Sequence, residues 1–149
     1  MTEGQKSALI HAGKMLSARM MTRKQVTDKL IEKGHSSDDA LFAVDYLEQM
    51  RAIDDLEYAH QYVLSRAARG YGEIRIRQEL RQRGVEEDHI DQAIESMPFD
   101  SGMIEKFILS RAKSLPIDRR EASKISSALA RKGFLWDDIW PILRKYTEE

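Results

Sequence analysis

The sequence has no cysteine, only three prolines and almost no excess of charge of either sign. Without cysteine the chain can form neither disulfide bonds nor thiolate metal sites. A formal net charge of −1 gives no overall attraction to nucleic acid. No apolar stretch suits a signal peptide or a membrane span. These absences together predict a cytoplasmic protein that does not enter a membrane.

Charged residues make up 33% of the 149 residues, and they are unevenly distributed. Six arginines lie between Arg66 and Arg83, and the acidic run of Glu86, Glu87 and Asp88 follows at once. Such segregation predicts separate basic and acidic surfaces, which influence docking more than folding.

Three stretches, beginning VTDKLIEKG, IRQELRQRG and ISSALARKG, align with one another without gaps. They share two apolar positions four residues apart, then a basic residue, a glycine and an aspartate. The glycines at Gly34, Gly84 and Gly133 are 50 and 49 residues apart. A period of this length is typical of helical arrays.

Each copy predicts a helix, a tight turn at the glycine and a second helix. Apolar residues four apart, such as Ile76 and Leu80, form one helical stripe, and glycine supplies the left-handed residue that ends a helix. A further helix precedes each pair, and no segment has a strand pattern. The sequence therefore predicts an all-α monomer of three tandem three-helix repeats, at residues 1–53, 54–99 and 100–149, in an elongated array.

The stretch ARGYGEIRIRQELRQRGV contains Gly70, Tyr71 and Gly72, which at first sight suggest a phosphate-binding loop. Such a loop requires a preceding strand and further glycines in register, or a lysine followed by serine or threonine. Neither is present. We interpret the Gly-Tyr-Gly as the joint between two helices.

No arrangement of residues indicates catalysis or metal binding. The four histidines are scattered, and no serine or threonine lies in a nucleophile motif. Acidic pairs occur where helices are expected to start, and the helix dipole already accounts for them there. We therefore predict a binding protein that is not an enzyme and needs no metal or cofactor.

The basic residues are the candidates for a binding surface. Arg77 and Arg81 share one face of a predicted helix, and Arg83 and Lys132 occupy equivalent repeat positions. Stacked repeats would align such residues into a stripe that suits a polyanion or an acidic protein groove. Alternatively, they form a solvated face whose positive charge is offset by glutamates of the same helix. The candidate site residues are Arg66, Arg69, Tyr71, Arg77, Arg81, Arg83, Arg111, Lys113, Arg131 and Lys132.

Aromatic residues fall into two groups with different predicted roles. Tyr71, in the glycine joint, is the one expected to be exposed and available for binding. Phe134, Trp136 and Trp140 belong to an amphipathic last helix and are expected in the core. Pro141 requires that this helix kink there or start later.

The stretch IDDLEYAHQYVLSRAARGYGEIRIRQELRQRGVEEDHIDQAI resembles the central repeat of the RecX family. The matching elements are its acidic and aromatic start, Arg66, the Gly-Tyr-Gly joint, and Arg83 followed by Gly84 and Val85. The last repeat, ISSALARKGFLWDDIWPIL, resembles the closing Arg-Lys-Gly-Phe turn of that family. The resemblance covers residues 53–143 and is weaker before them.

The resemblance implies tandem three-helix repeats in an elongated, curved molecule. It also implies a regulator of the RecA recombinase, in homologous recombination and the SOS response, that binds in the groove of RecA–DNA filaments and inhibits ATPase and strand exchange. Single- or double-stranded DNA is a further candidate partner. Two alternatives stay open, a helix-turn-helix-like DNA-binding protein and a helical adaptor for other proteins. The near-zero net charge disfavours the first of them.

Overall fold

A computed structural model describes residues 1–97 and 101–147. In this part of the chain there are nine α-helices, one short 3₁₀ helix and no strand. The α-helices are α1 (Glu3–Ala18), α2 (Arg23–Glu32), α3 (Ser37–Gln49), α4 (Asp55–Ala68), α5 (Glu73–Gln82), α6 (Glu87–Glu95), α7 (Ser101–Arg111), α8 (Arg119–Arg131) and α9 (Trp136–Leu143). The predicted all-α repeat fold is confirmed, with three helices for each repeat. None of the described helices combines the length and apolar character needed to cross a bilayer.

Short polar side chains begin several helices, because the first N–H groups of a helix have no partner within it. Thr22 accepts a hydrogen bond from the N–H of Gln25, and the Gln25 side chain accepts one from the N–H of Thr22. This reciprocal pair is a complete capping box at the start of α2. Ser36 and Asp118 accept N–H hydrogen bonds in the same way at the starts of α3 and α8.

A glycine with positive φ follows the second helix of each repeat, as the alignment predicts. The φ angle is 100° at Gly34, 82° at Gly84 and 97° at Gly133. Each glycine ends its helix and reverses the chain. In the middle repeat, the N–H of Val85 then returns to the carbonyl of Leu80 at 3.1 Å. The turn thereby directs the third helix of the repeat back along the second.

The chain divides into two compact units, and neither coincides with a repeat. Unit 1 comprises Met1–Gln61 and Leu80–Ala93, and unit 2 comprises Tyr62–Glu79 and Ile94–Glu149. Each unit combines one terminal repeat with parts of the middle repeat, since both α4 and α5 pass from one unit to the other. The predicted repeat boundary between residues 99 and 100 lies outside the described residues.

Unit 1 has its core where α3 packs against α1 and α2. Val26, Leu30 and Val44 are fully buried there. The hydroxyl of Thr22 donates to the carbonyl of Arg83 at 2.6 Å. This hydrogen bond joins the start of α2 to the glycine turn after α5.

Unit 2 has a core formed by α7, α8 and α9. Ile108, Leu129 and Ile139 are fully buried in it. Phe134 is also buried, as expected. Pro141 lies inside α9, in the last turn of the helix. The helix therefore starts before the proline and ends shortly after it.

Candidate functional site

The glycine joint of the middle repeat lies against the glycine turn of the last repeat, within unit 2. The N–H of Gly72 donates to the carbonyl of Lys132 at 2.7 Å, and the N–H of Ile74 donates to the carbonyl of Gly133 at 3.0 Å. These donors come from the start of α5 and the acceptors from the end of α8, two places where a helix leaves backbone groups unpaired. A Cβ on Gly72 would lie 2.5 Å from the carbonyl carbon of Gly133, so the close approach depends on glycine.

The ring of Tyr71 lies among three cationic side chains. The guanidinium carbons of Arg66 and Arg75 are each 4.1 Å from the ring centroid, and the Nζ of Lys132 is 5.1 Å from it. These distances are typical of cation–π contacts. Tyr71 is half-buried. The expectation of a freely exposed tyrosine is therefore wrong, because the cationic side chains pack on the ring.

The carboxylate of Glu79 holds two of these cations in place. Arg66 donates to both of its oxygens, at 2.9 and 3.0 Å, and Arg75 donates at 3.4 Å. The Tyr62 hydroxyl donates at 2.8 Å. Burial alone raises the pKa of the Glu79 carboxyl, but hydrogen bonds from Tyr62 and Arg66 outweigh burial and lower that pKa below its ordinary value. An ionised Glu79 therefore fixes the two arginines that contact Tyr71.

Phe107 is a second aromatic centre beside the first. The guanidinium carbon of Arg111 lies 4.9 Å from its ring centroid, and the Nζ of Lys132 lies 5.7 Å from it. Lys132 thus contacts the rings of both Tyr71 and Phe107. Its position at the end of α8 joins side chains from α4, α5 and α7 into one surface.

A groove of about 600 Å³ extends from Phe107 along α8. Its charged lining residues are Arg111, Lys113, Asp118, Arg120, Glu121 and Lys124. Asp118 accepts from the N–H of Glu121 at 2.8 Å, and Glu121 accepts from the N–H of Lys113 at 2.7 Å. Because four cations face two carboxylates, the groove has an excess of positive charge.

We name the combined feature the basic–aromatic surface; it comprises Arg66, Tyr71, Arg75, Phe107, Arg111, Lys113 and Lys132. Five of the ten candidate site residues from the sequence belong to it. Arg69 and Arg131 are exposed at the ends of α4 and α8. Arg77 forms an ion pair with Glu73 at 3.6 Å.

Arg81 and Arg83 lie in unit 1 rather than with the basic–aromatic surface. Arg81 forms an ion pair with Glu87, the second residue of the acidic run that follows. Arg83 is half-buried, and its carbonyl accepts the hydroxyl of Thr22. Glu87 therefore offsets the charge of Arg81, but it lies on α6 and not on the same helix as the sequence alternative supposed. Whether the arginines also contact a partner stays a prediction.

Sequence reasoning missed Arg75 and Phe107, and it treated Glu79 only as an offset to the charge of the arginine face. Arg75 and Glu79 are four residues apart on α5, a spacing that indicates an ion pair on one helix. Phe107 precedes Arg111 by the same interval on α7. These local signals were available. The contact of Arg75 with Tyr71 depends on the joint between helices, which spacing alone does not describe.

The two tryptophans lie on the surface, which corrects their predicted place in the core. Trp136 is 55% exposed and Trp140 is 41% exposed. Their rings stack with centroids 5.8 Å apart and planes inclined by 14°. The buried residues of α9 are instead Ile139, Ile142 and Leu143. Since apolar residues cover more than one face of this short helix, its pattern did not decide which of them enter the core.

Two of the histidines that appear scattered in the sequence meet in unit 1. The Nδ1 of His11 and the Nε2 of His35 are 3.0 Å apart, so one ring nitrogen donates and the other accepts. Within residues 1–97 and 101–147, no group of three or more histidine, aspartate or glutamate side chains is placed to hold a metal ion.

Comparisons of the sequence with known families and proteins agree with one another. Residues 9–47 match the family model described as RecX, first three-helix domain, and residues 54–94 match RecX, second three-helix domain. A regulatory protein RecX from Halorhodospira halophila is 34% identical over 128 residues, which cover 85% of this chain and 80% of the relative. One from Yersinia pseudotuberculosis is 35% identical over 101 residues, covering 66% of this chain and 56% of that longer relative.

Solved structures show the same architecture. A crystal structure of RecX from Lactobacillus salivarius superposes with a TM-score of 0.81 at 23% identity and covers 97% of both chains. A crystal structure of a regulatory protein RecX superposes with a TM-score of 0.82 at 25% identity, covering 96% of this chain and 72% of the other. The family models and the Halorhodospira relative establish the relationship, and the structures establish the fold. The chain therefore belongs to the RecX family of regulatory proteins.

Proposed function

We propose that this chain regulates the RecA recombinase by binding in the groove of RecA–DNA filaments, where it restrains ATP hydrolysis and strand exchange. In this role it serves homologous recombination and the SOS response, and it works by binding, without catalysing a reaction itself. Membership of the RecX family supports the regulatory role. The basic–aromatic surface is the observation that supports the manner of binding.

The cations of this surface fall into two groups. Arg111 and Lys132 rest on aromatic rings, and a ring orders a cation without cancelling its charge. Lys113 lines the adjoining groove, where the carboxylates already bind backbone N–H groups. Arg111, Lys113 and Lys132 therefore stay able to attract phosphate or carboxylate groups, and they are the residues we assign to filament contact.

Arg66 and Arg75 have a different role in this proposal. Both are bound to Glu79, so they hold Tyr71 in place more than they reach toward a partner. Tyr71 in turn contacts Lys132. The exposed residues at the ends of α4 and α8, Arg69 and Arg131, are the next contact candidates.

The decisive experiment is the RecA-dependent ATPase measured on single-stranded DNA, with and without this protein. We expect the parent protein to lower the rate. The double variant Arg111→Glu, Lys132→Glu should need at least about tenfold more protein for half inhibition, because reversal replaces attraction by repulsion. The difference should shrink as salt is added. Lys33→Glu is the control for the Lys132→Glu change alone, since it makes the same charge reversal at the equivalent position of the first repeat, where the side chain is exposed.

Each outcome assigns the protein to one class. A parent protein that leaves the ATPase unchanged yet binds duplex DNA is a helix-turn-helix-like DNA reader. One that does neither is an adaptor for other proteins. If the double variant inhibits as well as the parent at every salt concentration, the family role stands but the basic–aromatic surface is not the contact.

A further inference from the structure

A second groove of unit 2, of about 480 Å³, runs between α8 and α9. We name it the tryptophan groove; its lining includes Arg119, Ser123, Ser126, Trp136, Trp140 and Thr147. The two indole rings are nearly parallel, and both are exposed at the surface. Exposing two large rings side by side costs solvation free energy, which marks the face as a binding surface.

The polar groups of the tryptophan groove have a defined hydrogen-bonding character. The Ser126 hydroxyl donates to the carbonyl of Ser123 at 3.0 Å, and the Thr147 hydroxyl donates to the carbonyl of Arg144 at 3.1 Å. Because its hydrogen is engaged, the Thr147 oxygen offers lone pairs to an incoming N–H donor, whereas Ser126 is buried. Arg119 adds a positive charge, and no carboxylate is found among the described residues that line the groove.

We propose that the tryptophan groove binds single-stranded DNA, with bases stacked on Trp136 and Trp140 and a phosphate at Arg119. Flat parallel rings match flat bases, which stack on aromatic side chains irrespective of sequence. The N–H groups on base edges, such as the N3–H of thymine, are donors of the kind that the hydroxyl oxygen of Thr147 accepts. A cation in a groove whose described lining has no carboxylate fits a phosphate.

An apolar peptide is the weaker match to these features. It would favour a pit that surrounds a protruding side chain, whereas the two indoles offer a broad platform. The last repeat, residues 100–149, also carries ten basic and eight acidic side chains, so the surrounding chain attracts a polyanion. The choice of DNA over RNA rests on the proposed function, whereas the stacking of bases on the two indole rings does not depend on that function.

The protein carries its own reporter for the test. The sequence has only two tryptophans, and both lie in this groove. Titrating the protein with a thymidine oligonucleotide of about 20 residues at low salt, without RecA, should quench the tryptophan emission to a plateau. Anisotropy of a labelled oligonucleotide should show that Trp136→Ala and Trp140→Ala each lower affinity about tenfold. Trp140→Phe, which keeps an aromatic ring, should lie close to the parent.

Controls separate stacking from general electrostatic attraction. Leu64→Ala removes another exposed apolar side chain of unit 2 and should leave the affinity unchanged. A duplex of the same length hides the faces of its bases and should quench at least about tenfold less. Circular dichroism melts confirm that each variant folds.

Several results would overturn the proposal. One is that the parent protein binds the oligonucleotide without a change in tryptophan emission, while both alanine variants keep full affinity. Tighter binding of a uridine oligonucleotide would assign the groove to RNA. An emission shift with protein concentration alone would assign it to a second copy, and a shift on adding RecA without DNA would assign it to a protein partner. Because RecA is absent from the main titration, failure here leaves the ATPase test of the proposed function intact.

Discussion

The arginine-rich segment of the middle repeat shows how much a charge pattern depends on its partners. In the sequence, Arg66 and Arg75 are members of a basic cluster. In the fold they converge on the single carboxylate of Glu79, which also accepts the hydroxyl of Tyr62. The charged residues thus support one another first, and we propose that Arg111, Lys113 and Lys132 carry the charge that meets a partner.

Glu79→Gln should destabilise the protein by about 2 kcal/mol at neutral pH, because it weakens charge-assisted hydrogen bonds to a side chain that is largely buried. The pKa of Glu79 is lowered in the folded protein. Its stabilising contribution is therefore present above the unfolded pKa and is lost as the pH falls through the lower, folded value. Thermal unfolding between pH 7 and pH 3 should show a weaker acid dependence in the variant than in the parent.

Glu73→Gln is the matched control for this prediction. It removes an ion pair of the same helix that is longer, at 3.6 Å, and more exposed than that of Glu79. We expect a change of about 0.5 kcal/mol. Equal effects of the two substitutions would show that Glu79 is not the anchor of the cluster.

Helix ends are the elements that connect one repeat with the next. At the start of α5, Gly72 and Ile74 donate to carbonyls at the end of α8. At the start of α2, Thr22 donates to the carbonyl of Arg83, which follows α5. The two arrangements occupy equivalent repeat positions. Helix starts have surplus donors and helix ends have surplus acceptors, so joining them satisfies both.

Gly133→Ala and Gly34→Ala test this role of the turn. Both glycines have positive φ, so each alanine should cost about 1 kcal/mol of backbone strain. A Cβ at Gly34 meets open space, whereas one at Gly133 would lie 2.6 Å from the backbone nitrogen of Arg75. Gly133→Ala should therefore cost at least about twice as much as Gly34→Ala. Urea unfolding of the two variants measures the difference.

Gly133→Ala should also disturb the basic–aromatic surface, since Lys132 precedes the turn. Weaker inhibition of the RecA ATPase is expected from this variant and not from Gly34→Ala. If the two variants have equal stability, the turn after α8 is not pressed against α5.

At the scale of the whole molecule, compact units and repeats do not coincide. The repeats are defined by the period of the sequence. The units are instead defined by contacts in space, such as those between the start of one helix and the end of another. Unit 1 therefore takes Leu80–Ala93 from the middle repeat, and unit 2 takes Tyr62–Glu79. Three helices, α4, α5 and α6, each contribute to both units.

Hydrogen exchange on the full chain tests this division. Leu30 and Leu129 occupy equivalent repeat positions, and both are fully buried, in unit 1 and unit 2 respectively. Leu129→Ala should cost about 2–5 kcal/mol and accelerate exchange most in Tyr62–Glu79 and in the last repeat. Leu30→Ala should instead accelerate exchange most in Leu80–Ala93 and the first repeat.

The informative region is α5, where protection should change between Glu79 and Leu80. If exchange accelerates equally along all of α5 in both variants, and the acceleration stops at the ends of the middle repeat, the repeats are the cooperative units. Equal acceleration throughout the chain would indicate one cooperative unit instead.

The sequence by itself determined the helices, the glycine turns, the three-fold repeat and the family. These features depend on interactions between residues a few positions apart, such as the stripe of Ile76 and Leu80 and the positive φ of Gly84, which a linear pattern records. Only the tertiary structure decided that Glu79 captures Arg66 and that Tyr71 is half-buried. It also decided that Trp136 is exposed, and that the units cut across the repeats. These outcomes depend on contacts between helices, where the packing of one face determines which charges pair and which rings meet solvent.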